Sequence, residues 1–387
     1  MKIIISGDWH IDASRVGRIN PSTDLDFRTE DFLAAIDYMI DYAIKINADL
    51  FIMNGDLFKG RTSSHHIETL VAERFRKIAT KMPLIINLGN HDYTGKTLTY
   101  GFHTYSIIER FQIQNVSINT NISHIPFEQV DLVLYPYFDC KSREGFLNNQ
   151  ELLSFIKNSI DKYPLSKKTK LFVGHGTPEG TMANDSYFFE LDSVDEPILP
   201  QSMFEPYDMV FFSHIHRCQR VTDKIFHIGS PERVDFAEAN EEKGFVVVDT
   251  TNNSYEFVST NPRPMAVLDL SIESGDFVDP TQEIIQAIGG VQDLSKSMLK
   301  VSVSCSEQSR MMIDSDQVQK ALDKSYFSLP IKYQVSSSEK ITRMSEITEA
   351  LSELEALEKV IAASDLSDSE KTQLLIRGKG ILASNEA

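Results

Sequence analysis

The chain has little cysteine, no long apolar run and no excess of basic charge, and each shortage narrows what it can be. Cys140, Cys218 and Cys305 are few, odd in number and widely spaced in 387 residues. That argues against a disulfide framework and suits a reducing cytoplasm. No apolar stretch approaches the roughly 18 residues of a membrane span. The opening Met1-Lys2-Ile3-Ile4-Ile5 is too short for the apolar part of a signal peptide and runs directly into polar Ser6-Gly7-Asp8. There is no internal repeat or low-complexity tract. Against 38 Lys and Arg stand 56 Asp and Glu, a formal charge of −18. A protein that holds nucleic acid on its own surface is usually basic. Either the substrate is not a polymer, or metal ions and a partner subunit supply the attraction.

What is present is an ordinary globular composition, 41% hydrophobic and 24% charged, long enough for one large domain and one or two small ones. Across the first 260 or so residues, β-branched runs alternate with amphipathic stretches. Strands are expected at Lys2–Ser6, Asp49–Asn54, Pro83–Leu88, Val130–Tyr137, Lys170–Gly174, Asp208–Phe212, Lys224–Ile228, Gly244–Thr250 and Tyr255–Ser259. Helices are expected at Glu30–Asn47, with Phe32, Ile36, Met39, Ile40 and Ala43 on one face, and at Ser64–Met82. Alternation first and consecutive strands later predict an α/β domain of mixed sheets, two of them stacked. Asn261-Pro262-Arg263-Pro264 breaks both periodicities and marks a boundary. The order then becomes β-α-β-α-β over Met265–Ile272, Pro280–Ile288, Met298–Ser304, Ser315–Asp323 and Pro330–Val335, a small α+β module. The domains so defined are 1–261, 262–340 and 341–387. In the last, Ile347, Leu351, Leu354, Leu357 and Ile361 recur at helical spacing among five glutamates between Glu346 and Glu358. Ser367-Asp368-Ser369-Glu370 has the form of a capping box opening a second helix, and Gly378 could end it. A hairpin of that size cannot bury its apolar stripes alone, so it docks on a partner or packs on its own domain.

The chemistry lies at strand ends. Asp8-Trp9-His10, Gly55-Asp56, Gly89-Asn90-His91-Asp92, His175 and Ser213-His214-Ile215-His216 each follow an expected strand. In α/β sheets, ligands collect beyond the carboxyl ends of strands. Singly, a strand-end Asp is more often a turn former, and Gly-Asn-His-Asp more often a plain loop. Five successive strand ends that each deliver Asp, Asn or His would need that bland reading five times over. Mixed imidazole and carboxylate donors suit borderline divalent ions such as Mn²⁺, Fe²⁺ or Zn²⁺ better than Mg²⁺. A carboxylate can bridge two such ions about 3.5–4 Å apart, clamping a phosphodiester and lowering the pKa of a shared water.

Together these motifs resemble the calcineurin-like metallophosphoesterase superfamily. Ser6-Gly7-Asp8-Trp9-His10, Gly55-Asp56-Leu57-Phe58, His214-Ile215-His216-Arg217 and Gly229-Ser230-Pro231 are similar to its SbcD branch, the nuclease subunit of a DNA double-strand-break repair complex that includes the meiotic recombination nucleases. Asp235-Phe236-Ala237-Glu238 followed by Glu242-Lys243-Gly244-Phe245 resembles a further signature of that branch, and the resemblance spans roughly residues 1–260. It implies a two-sheet β-sandwich flanked by helices, with Asp8, His10, Asp56 and His216 on one metal. Asp56, Asn90, His175 and His214 would hold the other, both ions being Mn²⁺. His91 would serve the leaving oxygen as catalytic acid, with Asp92 orienting it. The implied activity is duplex-end exonuclease and single-strand endonuclease. The implied partners are DNA and an SMC-like ATPase of the SbcC type, in a heterotetramer built on a homodimer, in the cytoplasm of the cell or of a phage host. The 262–340 module would cap the site, and 341–387 would dock the ATPase. Ser213, Ile11-Asp12 and Lys59 depart from the branch's pattern without removing a ligand.

Other readings are a phosphatase or cyclic-nucleotide hydrolase on the same scaffold, or a non-catalytic scaffold. Trp9, the only tryptophan, packs beneath the site or stacks on substrate. Arg61, His65 and His66 are candidates for backbone contact with nucleic acid, although such residues are more often simply solvated. His103, His124 and His227 read as structural.

Overall fold

The computed structural model describes residues 1–13, 16–60, 63–93, 104–105, 108, 113–138, 146–166, 168–184, 187–188, 196–272 and 279–336, with scattered residues from 357 to 379. The described chain divides into two compact units. The first comprises Met1–Val267, Gly290–Lys300 and Leu322–Leu329, and the second Leu268–Gly289, Val301–Ala321 and Pro330–Ala387.

Two six-stranded sheets build the first unit. In chain order their strands are β1 (Lys2–Ser6), β2 (Leu50–Asn54), β3 (Leu84–Asn87), β4 (Val116–Asn119), β5 (Ser123–Pro126), β6 (Val130–Tyr135), β7 (Thr169–His175), β8 (Met209–Ser213), β9 (Gln219–Arg220), β10 (Ile225–His227), β11 (Gly244–Asp249) and β12 (Ser254–Ser259). One sheet runs β12-β11-β1-β2-β3-β4 and the other β9-β10-β8-β7-β6-β5. Pairs β1·β2, β2·β3, β6·β7 and β7·β8 are parallel, so their carboxyl ends emerge together in each sheet. Each sheet has antiparallel strands only at its margins, β1·β11·β12 in one and β5·β6 and β9·β10 in the other.

Side-chain alternation explains the stacking. Ile3, Ile5, Leu50 and Ile52 of one sheet and Leu132, Leu134, Leu171 and Val173 of the other form a single buried cluster between them. Their neighbours Ile4, Phe51 and Met53 face the opposite way, onto α1 (Phe27–Lys45) and α2 (His65–Ala79). Val133, Tyr135, Phe172 and Phe212 face a third cluster, completed by Leu152, Ile156 and Ile160 of α3 (Asn149–Asp161). The mixed α/β sandwich expected from the sequence is therefore the fold.

Boundaries moved where caps overrule periodicity. The Asp26 carboxylate accepts the Arg28 N–H and starts α1 three residues earlier than the apolar spacing predicts. Strands β4 and β5 and helix α3 are not among the expected elements, although Asn148 caps α3 by accepting from the Glu151 N–H. The edge strand β4, Val-Ser-Ile-Asn, is too short and too polar to stand out.

In the second unit, Val301, Val303 and Cys305 of the strand Met298–Ser306 are buried, as are Ile284, Ile288, Ile313 and Val318. That strand pairs in parallel with Lys332–Ser336. Helices Pro280–Gly289 and Ser315–Leu322 occur where expected, whereas no periodicity announces the short helix Glu307–Met312. Most of the 341–387 segment, with Arg61, His103 and Cys140, lies outside the described residues. Within it, residues 357, 358, 361 and 371–375 are helical, and the Lys379 ammonium pairs with the Glu358 carboxylate at 2.8 Å. Among the described residues no helix is long and apolar enough to cross a membrane.

Candidate metal centre

The parallel strands deliver their terminal residues to one place. Beyond β1 come Asp8 and His10, beyond β2 Asp56, and beyond β3 Asn90 and His91. His175 ends β7, and His214 and His216 follow β8. Among the described residues two sets of three donors result: Asp8, His10 and His216, and Asp56, His175 and His214. Within each set the ligand atoms lie within 4.8 Å of one another. The sets abut, since His10 Nε2 and His175 Nε2 lie 3.5 and 3.6 Å from the same Asp56 Oδ2. Asn90 joins the second set through Oδ1, 2.9 Å from His214 Nδ1 and 3.2 Å from His175 Nε2.

Local backbone is strained to achieve this. Asp8, His10, Asp56 and His214 have φ of 52°, 38°, 59° and 109°, where side-chain-bearing residues are uncommon and each costs about 1–3 kcal/mol. A lattice of backbone bonds holds them. Asp8 N–H donates to Gly55 O, His10 N–H to Asp56 O, and His214 N–H to the Asp8 carboxylate. Close approach also demands glycine: a Cβ on Gly55, itself at φ +87°, would sit 2.4 Å from His175 Nδ1, and one on Gly89 2.3 Å from Asp56 Oδ1.

The donor set fits divalent metal. His175 Nδ1 donates to the Asn54 carbonyl at 2.8 Å, so in the neutral ring Nε2 carries a lone pair. That lone pair faces acceptor oxygens of Asn90 and Asp56. His214 repeats the pattern, with Nε2 on Glu196 and Nδ1 facing Asn90. Acceptors converging on one point need a shared cation, a proton on the ring or a metal ion, between them. Burial disfavours a charged His175, yet Asp56 and Asp8 push its pKa up to about 9. His10 is fully buried, neither ring nitrogen makes a hydrogen bond, and burial holds its pKa well below the ordinary value. A neutral imidazole enclosed beside carboxylates is a ready metal donor. Burial raises Asp8, whereas Asp56, despite its burial, is held well below the usual carboxylate range by His175 and His10.

Asp92 differs from expectation. Its carboxylate accepts the N–H groups of Gly89, Asp56 and Leu57 at 2.8, 2.9 and 3.0 Å. The His91 ring is instead oriented by the Lys59 carbonyl, 2.8 Å from Nδ1. Asp92 thus fixes the chain around Asp56 and does not hold the His91 ring. Burial and the Asp56 charge push its carboxyl up to about 7, against three N–H donors that favour the ionised form. His91 is half-buried, and burial lowers its pKa.

The unusual Ile11-Asp12 pair has a use. Ile11 joins the core, and the Asp12 carboxylate accepts from the Lys59 and Gly60 N–H groups, steadying the loop whose carbonyl orients His91. Ser213 Oγ accepts from the Asn54 amide at 3.0 Å. Trp9 is fully buried against Phe75 and Phe51 with Nε1 on Ser6 Oγ, so it packs beneath the site and does not meet substrate. His65 and His66 are exposed, His124 pairs with Asp131, and His227 is enclosed.

Two glutamates received no role from the sequence. Glu196 takes a hydrogen bond from His214 Nε2 at 2.8 Å, and Glu238 from His216 Nδ1 at 2.8 Å. Glu238 ends the Asp235-Phe236-Ala237-Glu238 motif, but its partner emerges only from the fold. Glu196 follows no motif at all. Tyr137 walls the same side, its ring 5.4 Å from that of His214.

This centre and fold define a phosphoesterase. The chain belongs to the calcineurin-like phosphoesterase family, whose model matches residues 1–218. It is similar to the SbcD subunit of the SbcCD nuclease of Staphylococcus epidermidis, 28% identical over 74% of this chain and 75% of that protein. It is also similar to "Exonuclease subunit 1" of Enterobacteria phage T4, 22% identical over 67% and 68% of the two chains. A third relative, "DNA double-strand break repair protein Mre11" of Archaeoglobus fulgidus, is 26% identical over 64% of this chain and 58% of that one.

Proposed function

We propose that the chain is a metal-dependent DNA nuclease, hydrolysing phosphodiesters with two divalent ions that share Asp56. It would act as an exonuclease on duplex ends and an endonuclease on single strands. The observation that carries this reading is the convergence of two donor sets on one buried carboxylate oxygen, in a chain similar to proteins named as nuclease and exonuclease subunits. Asp8, His10, Asp56 and His216 would hold one ion, and Asp56, Asn90, His175 and His214 the other. Imidazole beside carboxylate favours Mn²⁺ over Mg²⁺. Bound there, the ions supply positive charge to phosphate oxygens and acidify a water.

The protein's own groups do the rest. The four left-handed positions fix the donors before substrate arrives, so little reorganisation is left for the reaction. His91 has Nδ1–H committed to the Lys59 carbonyl, so it would serve the leaving oxygen from Nε2 as the doubly protonated ring, giving up that proton and returning to the neutral form. A positioned acid contributes about 10²–10⁴-fold.

The charge of −18 leaves attraction to DNA to be supplied from elsewhere. An SMC-like ATPase of the SbcC type would hold the DNA while this chain cuts it, in a heterotetramer built on a homodimer in the cytoplasm. The 262–340 module would cap the site, and 341–387 would dock the ATPase. The test is end-labelled linear duplex DNA incubated with Mn²⁺, Mg²⁺ or EDTA, with and without the ATPase. Mn²⁺-dependent cleavage is expected, strengthened by the partner and abolished by EDTA. Hydrolysis of a small phosphomonoester without cleavage of DNA overturns the nuclease reading. Deleting Met344–Ala387 should abolish co-purification with the ATPase and spare cleavage of a short substrate; an unchanged complex overturns the docking role.

A further inference from the structure

We infer, resting on the two-ion reading above, that Glu196 and Glu238 are a matched pair of positioning residues, each governing one ion site through a single histidine. Glu238 Oε1 accepts from His216 Nδ1, which leaves Nε2 of that ring for the set that contains Asp8 and His10. Glu196 Oε2 accepts from His214 Nε2, which leaves Nδ1 for the set that contains Asp56 and His175. The two rings therefore present opposite nitrogens, although they stand two residues apart. Backbone geometry alone, with His214 at φ 109°, does not select the donor nitrogen. The carboxylate behind each ring does, and it also makes the imidazole a stronger donor.

The two glutamates are anchored by different parts of the fold. Glu238 receives the Lys243 ammonium at 2.8 Å and the Val234 N–H at 2.8 Å. Lys243 is fully buried and also donates to the His216 carbonyl, so a paired ammonium fixes both ends of this support. Glu196 receives the Thr177 hydroxyl at 2.6 Å and lies 3.5 Å from the Tyr137 hydroxyl. These anchors are separate residues on separate segments of chain. Separate anchors predict that each glutamate acts chiefly through its own histidine, even though the two sites meet at Asp56.

The experiment is calorimetric titration of the full chain with Mn²⁺, run on single and paired variants. Wild type should show two sites. Glu196→Ala should weaken one of them about 10–100-fold and leave the other, and Glu238→Ala should weaken its counterpart. The paired variants separate positioning from general damage. In a His214→Ala background Glu196→Ala should have no further effect, whereas in a His216→Ala background its effect should persist; the reverse holds for Glu238→Ala. Equal effects of Glu196→Ala in both backgrounds, or two unaltered sites in either single variant, overturn the inference. Glu196→Leu and Glu238→Leu fill similar space without an acceptor for the ring N–H, so they carry the same test should an alanine variant unfold. A wild-type chain that takes up no Mn²⁺ overturns the two-ion reading itself, whereas normal uptake with indifferent glutamate variants overturns only this assignment.

Discussion

The Asp92 carboxylate accepts the backbone N–H of Asp56 at 2.9 Å, so one fully buried acid fixes the chain that presents another. Two further N–H groups, of Gly89 and Leu57, share the same pair of oxygens. Asparagine at this position has one acceptor oxygen and turns an NH₂ against a donor. Asp92→Asn should therefore cost about 1–3 kcal/mol of stability and weaken metal binding. Thermal unfolding of the metal-free protein and Mn²⁺ titration check both, and an unchanged midpoint would contradict the structural role.

His91 provides the opposite test, of chemistry without structure. Its ring is half-buried and tied to the Lys59 carbonyl, and its side chain belongs to neither donor set. His91→Ala should reduce cleavage about 10²–10⁴-fold while two ions still bind. Turnover at the wild-type rate with the ring gone would refute the role.

Much of this centre was legible because its donors sit where parallel strands end, and strand ends are visible as the point where β-branched runs meet Gly, Asp or Asn. Asp8, Asp56 and His214 all lie within two residues of such an end. What the sequence did not yield are contacts set by tertiary approach. Glu196 meets His214 across 18 residues of chain, and Asp92 meets Leu57 across 35. Neither leaves a periodic or local signature. The sandwich was legible because helix-strand alternation gives way to consecutive strands along the chain; in the structure Ile3, Ile4 and Ile5 are all buried, as a strand covered on both faces requires. Strand β4 escaped because an edge strand of four residues carries little apolar pattern, whereas helix α3 does carry one, Leu152, Ile156 and Ile160 at i, i+4 and i+8, and was overlooked.

Asp56 belongs to one set and faces the other, with His10 Nε2 and His175 Nε2 both within 3.6 Å of its Oδ2. Its other oxygen accepts the His91 N–H at 2.8 Å. Asp56→Ala should thus release both ions together and abolish cleavage, as metal analysis after desalting would report. Retention of two ions would contradict a shared ligand.

Gly55 tests the packing that lets these residues meet. Alanine there must adopt φ +87° and place its Cβ 2.4 Å from His175 Nδ1 and 2.6 Å from the Gly89 nitrogen. Left-handed backbone alone disfavours the substitution by about 1–2 kcal/mol, and the overlap displaces the His175 ring from the Asn54 carbonyl. Gly55→Ala should lower both the unfolding midpoint and the Mn²⁺ affinity. Wild-type values for both would show that the loop can move aside.

Away from the centre, Asp131 gives a prediction with a sign in pH. It lies at the start of β6, and its carboxylate accepts from the Ser166 N–H and hydroxyl at 2.8 and 2.6 Å and pairs with His124 at 3.1 Å. Burial alone would raise its pKa, but the Ser166 bonds and His124 outweigh it and hold the carboxyl below its ordinary value. A folded value below the unfolded one means that the stabilisation is complete above the unfolded pKa of about 3.9 and is lost as pH falls through the folded value. Replacing Asp131 by Asn keeps the shape and removes the charge. The variant should be less stable than wild type by about 1–2 kcal/mol at pH 7, and the gap should close as the pH is lowered below about 4. Denaturant unfolding of both proteins at pH 7, 5 and 3.5 measures it; a gap that widened between pH 5 and 3.5 would mean that the neutral, not the ionised, carboxyl is the form the fold prefers.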